Sequence, residues 1–224
     1  LKRFTLHLVD LPGHGRSEWQ PDGFDLSVLL ENLAEQLPKQ ALILGWSLGG
    51  LIGLAYAQRY VERVKGLCLL AATPCFVQRD DWPTAMESTV FETFNQQLAK
   101  DPAVTLQQFL LLQARGSEQS RQTIKMLAAK MNEVGQAHPD ALQAGLAMLS
   151  NLDMRTALGA LSVPTRLLLA ERDSLIPVEM AEKAIAIQAN LSVNIIDGAG
   201  HAPFISHPAL CAELVTGFFE AVDD

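Results

Sequence analysis

Ser47, Asp173 and His201 have the residue types, chain order and flanking sequence that nucleophilic acyl transfer needs. A serine hydroxyl is a weak nucleophile until a histidine takes its proton, and the histidine works best when a carboxylate orients it. Ser47 lies in Gly45-Trp46-Ser47-Leu48-Gly49-Gly50, a G-x-S-x-G pattern between an apolar run and a helical pattern. A tight strand-to-helix turn there would strain the serine backbone, and side chains two positions either side would clash with neighbouring backbone, hence the glycines. The turn sets Ser47 at a helix N-terminus, where the Leu48 N–H is expected to donate to a developing oxyanion. Asp173 follows Leu167-Leu168-Leu169-Ala170 in ERDSLIP, and His201 follows Ile195-Ile196 in GAGHAPF. All three therefore sit just past a strand-like run, and the order serine, acid, histidine lets them converge at one sheet edge.

The competing residues fit less well. Glu171 is the serious rival acid, and Asp173 is preferred for its place in the loop. Asp10 precedes the serine, and Asp153 has no strand before it. His7 is expected to pack within a strand, His14 to serve the LPGHGRS turn or a pocket rim, and His138, before Pro139, to be a solvated residue at a helix break. His207 lies six residues after His201, but no third ligand clusters with them, so no metal site is expected.

The elements that must position these residues alternate. Phe4 to Val9, Ala41 to Gly45, Val64 to Ala71, Val163 to Ala170 and Ser192 to Ile196 read as strands buried on both faces. Leu26 to Leu37, Leu48 to Arg59, Val178 to Gln188 and Pro208 to Val222 read as helices. Such alternation predicts an α/β fold with a mainly parallel sheet. Residues 76–155 break it with four successive helical patterns, divided at Asp101-Pro102 and His138-Pro139; Ile124, Leu127, Met131 and Val134 share one helix face. The expected organisation is a core of residues 1–75 and 156–224 with a helical cap, or lid, of residues 76–155 over the sheet's C-terminal edge, where ligands bind open α/β sheets.

With 224 residues the chain can bury a sizeable core, and its net charge of −8 without a basic run argues against nucleic acid as a partner. No apolar stretch approaches the roughly 18 residues of a membrane-spanning helix. Cys68, Cys75 and Cys211 form no CxxC pair, which suits a reduced cytoplasm, and the protein is expected to act there as a monomer. Between Ala103 and Met131 the cations Arg115, Arg121, Lys125 and Lys130 accompany one acid, Glu118. Arg121 and Lys125 are four apart on one helix face, and with Arg115 they form a local patch able to steer an acidic partner.

VDLPGHGRS at 9–17, GWSLGGL at 45–51 and the loops carrying Asp173 and His201 together resemble the α/β-hydrolase superfamily. More narrowly, HLVDLPGHGRS, LGWSLGGL, TPCFVQRDDWP and AGHAPFISHP resemble the pimeloyl-[acyl-carrier protein] methyl ester esterases of biotin synthesis. That resemblance spans essentially the whole chain. It implies a serine carboxylesterase needing no cofactor, with Ser47 as nucleophile, His201 as base then acid, and Asp173 as orienting carboxylate. It also implies Trp46 and Phe76 beside an acyl pocket, and an acyl carrier protein bearing a methyl pimeloyl chain as partner at the basic lid face. The family's HG-containing oxyanion loop has no counterpart after Leu1, so the resemblance implies an N-terminally incomplete chain whose first strands and second oxyanion donor are missing. Two alternatives remain open: a general short-chain carboxylesterase or other small-molecule hydrolase such as a C–C hydrolase, and a non-catalytic hydrolase-fold binding protein or inactive fragment.

Overall fold

The computed structural model describes residues 4–135 and 137–223, so Leu1 lies outside the described residues. Four strands, β1 (Ala41–Trp46), β2 (Val64–Leu70), β3 (Thr165–Ala170) and β4 (Ser192–Ile196), form one sheet in the order β1-β2-β3-β4, with every pairing parallel. Their near-continuous apolar character follows from burial on both faces. In β2, Leu67 and Leu69 enter one core cluster while Cys68 and Leu70 enter the other, as a period of two requires. The same division repeats in β3, with Leu167 and Leu169 against Leu168 and Ala170.

Helices cover both faces. α1 (Leu26–Gln36) starts where the Asp25 carboxylate accepts the Val28 N–H at 3.1 Å, which supplies an N-terminal cap. Leu29, Leu30 and Leu33 of α1 join α2 (Leu48–Arg59) in the first cluster, with the short α7 (Arg155–Ala160) and α8 (Met180–Ile187) on the same side. The other face is closed by α9 (Pro203–Ser206) and α10 (Pro208–Asp223), whose Cys211, Phe218 and Phe219 are buried there.

Between β2 and β3 the chain leaves the sheet for α3 (Ser88–Lys100), α4 (Pro102–Ala114), α5 (Ser120–Val134) and α6 (Pro139–Asn151). Two of the three breaks fall at X-Pro steps, and the third, between α4 and α5, falls at residues 115–119, where Gly116 takes φ 79°. Asp101 ends α3 and its carboxylate caps α4 by accepting the Val104 N–H at 3.1 Å. His138 caps α6 through Nδ1, which accepts the Asp140 N–H at 3.3 Å, and its ring stacks on Trp19 with centroids 5.5 Å apart. The expected solvated role of His138 is thus incomplete: the residue also ties α6 to the turn after the first segment, because its N–H donates to the Gly13 carbonyl at 2.8 Å.

The segment Phe4 to Val9 departs from expectation. It forms no strand, and Leu6 and Leu8 are 65% and 94% exposed, as is His7, which was expected in the core. An apolar run becomes a strand only where a neighbour supplies a hydrogen-bond ladder, and no strand among the described residues runs beside this one.

Candidate active site

β1 ends at Trp46, paired with Leu70 of β2, and the next residue turns the chain into α2. Ser47 takes φ 53° and ψ −120°, a left-handed conformation that costs energy for a residue with a Cβ. Surrounding bonds hold it there. Its N–H donates to the Leu70 carbonyl at 3.0 Å, and its own carbonyl accepts from the Gly50 and Leu51 N–H groups at 2.9 and 3.2 Å.

The glycines of the turn do unequal work. A Cβ on Gly45 would strike the Gly49 carbonyl, and one on Gly50 would strike the Ala72 methyl and lie 2.9 Å from the Gly45 carbonyl oxygen. A Cβ on Gly49 would meet nothing within 4 Å. The second glycine required is therefore Gly50, three positions after the serine, because α2 enters the sheet closest there. Gly49→Ala is expected to change unfolding free energy by less than about 0.5 kcal/mol, whereas Gly50→Ala is expected to cost about 1–3 kcal/mol through overpacking. Urea unfolding of the two variants measures the difference.

Asp173 lies three residues past the end of β3. Its Oδ1 accepts the Leu175 and Ile176 N–H groups at 2.8 and 3.1 Å, which aims Oδ2 at His201 Nδ1, 2.7 Å away. His201, five residues past β4, places Nε2 2.9 Å from Ser47 Oγ. The side chains of His201 and Asp173 are 0% and 1% exposed, and Ser47 is half-buried. The buried carboxylate is satisfied by three donors. With Nδ1–H donating to Asp173, Nε2 keeps its lone pair toward the serine hydroxyl, so the arrangement can draw the hydroxyl proton away.

The other candidates are engaged elsewhere. Glu171 Oε2 accepts the Gly198 N–H at 2.8 Å. Asp10 accepts the Arg16 N–H at 3.0 Å. Asp153 receives Nε and Nη2 of Arg155 at 2.8 and 2.6 Å, and these bonds hold its carboxyl below the usual range. His14 Nδ1 lies 3.0 Å from the Pro12 carbonyl, and His207 Nδ1 lies 2.8 Å from Ser206 Oγ. Among the described residues no three His, Cys, Asp or Glu side chains gather as metal ligands. Burial pushes the Cys68 and Cys211 thiols up to about 12 and 11 and raises that of Cys75 as well, so none supplies a thiolate near neutral pH.

A cavity of about 390 Å³ opens between α3, α4 and α6, lined by Phe76, Phe91, Phe94, Phe109, Leu146 and Leu175 among others. Leu175 belongs to the loop that holds Asp173. Ser47, Leu48, Asp173 and His201 are not among its lining residues; Leu48 packs toward α6 at Gly145, where a Cβ would lie 3.2 Å from its Cδ2. Phe76 lines the cavity, but Trp46 is not among its lining residues. The Trp46 indole instead donates its N–H to the His201 carbonyl at 2.8 Å and packs edge-on against Phe204. Its position on the strand explains this, since Trp46 and Leu42 share the face that α10 covers, away from Ile43.

Leu48 begins α2, the position from which its N–H can serve an oxyanion. Arg115, Arg121 and Lys125 are exposed and make no ion pair among the described residues. Lys130 pairs with Glu133 at 2.6 Å, and the acid of the patch, Glu118, faces Arg172 at 3.3 Å. Among the described residues, three cations of the α4–α5 region thus pair with no acid.

The sequence profile of the α/β-hydrolase fold matches residues 1–208. A pimeloyl-[acyl-carrier protein] methyl ester esterase of Yersinia pseudotuberculosis is 40% identical over 217 residues, covering 97% of this chain and 83% of that protein. One of the same description from Xanthomonas oryzae pv. oryzae is 37% identical over 219 residues, covering 98% and 86%. Among solved structures, an esterase of Exiguobacterium antarcticum superposes with a TM-score of 0.81 at 22% identity, covering 96% of this chain and 80% of that one. A bromoperoxidase of Bacillus anthracis gives 0.85 at 20% identity, covering 94% and 80%. At such identities these two report the shared fold.

Proposed function

The chain belongs to the α/β-hydrolase family and, within it, to the pimeloyl-[acyl-carrier protein] methyl ester esterases, and from that premise we propose that it hydrolyses the methyl ester of a pimeloyl chain carried on acyl carrier protein. The observation that carries the chemistry is the relay from Asp173 Oδ2 through His201 to Ser47 Oγ, with steps of 2.7 and 2.9 Å. Ser47 Oγ attacks the ester carbonyl while His201 Nε2 takes its proton, and the tetrahedral oxyanion forms toward the Leu48 N–H. Collapse expels methanol, which leaves with the proton from His201, and the pimeloyl group stays on Ser47. A water deprotonated by His201 then attacks the acyl-enzyme, releasing the free carboxylate and restoring the serine.

In this reading residues 76–155 form the lid, and the aromatic cavity within it, reached by Leu175 of the Asp173 loop, holds the methylene chain, each buried CH₂ contributing about 0.8 kcal/mol. Phe76 lines that cavity. The free cations Arg115, Arg121 and Lys125 give an acidic carrier protein a place to approach. The reaction belongs in the cytoplasm, where the free, buried cysteines stay reduced, and the enzyme acts as a monomer.

The reading is tested by comparing kcat/KM for methyl pimeloyl-carrier protein with that for nitrophenyl esters. A clear preference for the carrier-bound ester is expected, and equal efficiency would indicate a general esterase. Reversing two charges, Arg121→Glu with Lys125→Glu, is expected to raise KM for the carrier-bound ester about tenfold at low salt, an effect that fades as ionic strength rises. Steady-state kinetics across a salt series, with a carrier-free methyl ester as control, measures it.

A further inference from the structure

His201 sits in a stretch without regular structure between β4 and α9, yet its Nε2 must meet Ser47 within a few tenths of an ångström. Backbone bonds tie the start of this loop down: the Arg172 N–H donates to the Ala199 carbonyl at 2.9 Å, and the Glu118 N–H to the Gly198 carbonyl at 3.1 Å. Two side chains complete the hold. Glu171 Oε2 accepts the Gly198 N–H at 2.8 Å, and the Trp46 indole N–H donates to the carbonyl of His201 itself at 2.8 Å. Trp46 is the residue before the nucleophile, and Phe204, 4.9 Å away between centroids, fixes its ring. One rigid side chain therefore links the backbone that carries the nucleophile to the backbone that carries the base.

We propose that Trp46 and Glu171 are positioning residues for His201, clamping its loop from the nucleophile side and from the acid side. The inference rests on the serine-hydrolase reading of Ser47, Asp173 and His201. Glu171 acts as a hydrogen-bond acceptor here. Arg172, whose Nε lies 3.4 Å from the same oxygen, is shared between Glu171 and Glu118.

The test is the second-order rate of Ser47 labelling by a fluorophosphonate, together with kcat and KM on nitrophenyl acetate, substrates that need neither the lid patch nor a carrier protein. Trp46→Phe keeps a packed ring and removes the N–H; Glu171→Ala removes the acceptor. Each is expected to slow labelling and lower kcat about tenfold, with KM unchanged within twofold. Glu171→Gln, which keeps an acceptor oxygen, is expected to recover most of the rate lost in the alanine variant. Unchanged labelling in Trp46→Phe and Glu171→Ala overturns the clamp and leaves the serine-hydrolase reading standing. A native protein that does not label at all overturns both. If Glu171→Ala does not fold, Glu171→Met, of similar length without an acceptor, takes its place. Loss of folding in that variant too assigns Glu171 to stability and overturns its positioning role.

Discussion

Ser47→Ala is expected to lower kcat for ester hydrolysis by about 10⁶-fold, with KM and thermal stability close to those of the native protein. The size follows from the chemistry: without Oγ there is no acyl-enzyme, and His201 has no proton to take in the first step. Stability should hold because the strain at this position lies in the backbone. Alanine keeps the Cβ that makes φ 53° costly, and every hydrogen bond that enforces it runs through the backbone of Leu70, Gly50 and Leu51. What remains should be the modest acceleration supplied by the Leu48 N–H and by substrate binding, on the order of 10³-fold or more over water. Single-turnover assays on purified variant, paired with its melting curve, measure both halves. Activity within a factor of ten of native would place the nucleophile elsewhere.

Much of this site can be read from the chain because its parts lie at strand ends, and strands buried on both faces announce themselves as short apolar runs. Ser192 to Ile196 was legible to the residue, and the four helices α3 to α6 were legible as successive helical patterns, though not their ends or the short α7 before β3. Phe4 to Val9 has the same appearance and is not a strand, because apolar composition cannot say whether a neighbour lies alongside. The pair Glu171 and Asp173 shows a second limit. Both carboxylates face the histidine loop, and their roles are separated by the turn in which Asp173 Oδ1 collects the Leu175 and Ile176 N–H groups, while Glu171 meets Gly198. Trp46 shows what strand parity adds. The resemblance places it beside an acyl pocket, whereas strand parity with Leu42 turns its ring toward the face that α10 covers, where it bonds the His201 carbonyl. The glycines misled through their spacing, since the helix approaches the sheet at Gly50 and leaves Gly49 open.

The acid offers the sharper test of how the site is built. Asp173→Asn is expected to lower kcat about 10⁴-fold while leaving the loop folded, and the hydrogen bonds around the carboxylate say why. The Oδ1 position receives two backbone N–H groups, from Leu175 at 2.8 Å and Ile176 at 3.1 Å, so an asparagine must place its carbonyl oxygen there. Its NH₂ then occupies the Oδ2 position, 2.7 Å from His201 Nδ1. Two donors cannot face each other, so Nδ1 must become the acceptor and the imidazole proton must move to Nε2. That nitrogen then points an N–H at Ser47 Oγ and can no longer take the serine proton. The substitution thus leaves shape and backbone contacts in place and inverts the tautomer. Kinetics on the variant should show the loss almost wholly in kcat, fluorophosphonate labelling should slow in parallel, and the melting temperature should fall by only a few degrees, as for a loss of about 1 kcal/mol. Near-native rates in a folded Asp173→Asn protein would mean that another group sets the tautomer of His201, and Glu171, two residues away, would be the first to examine.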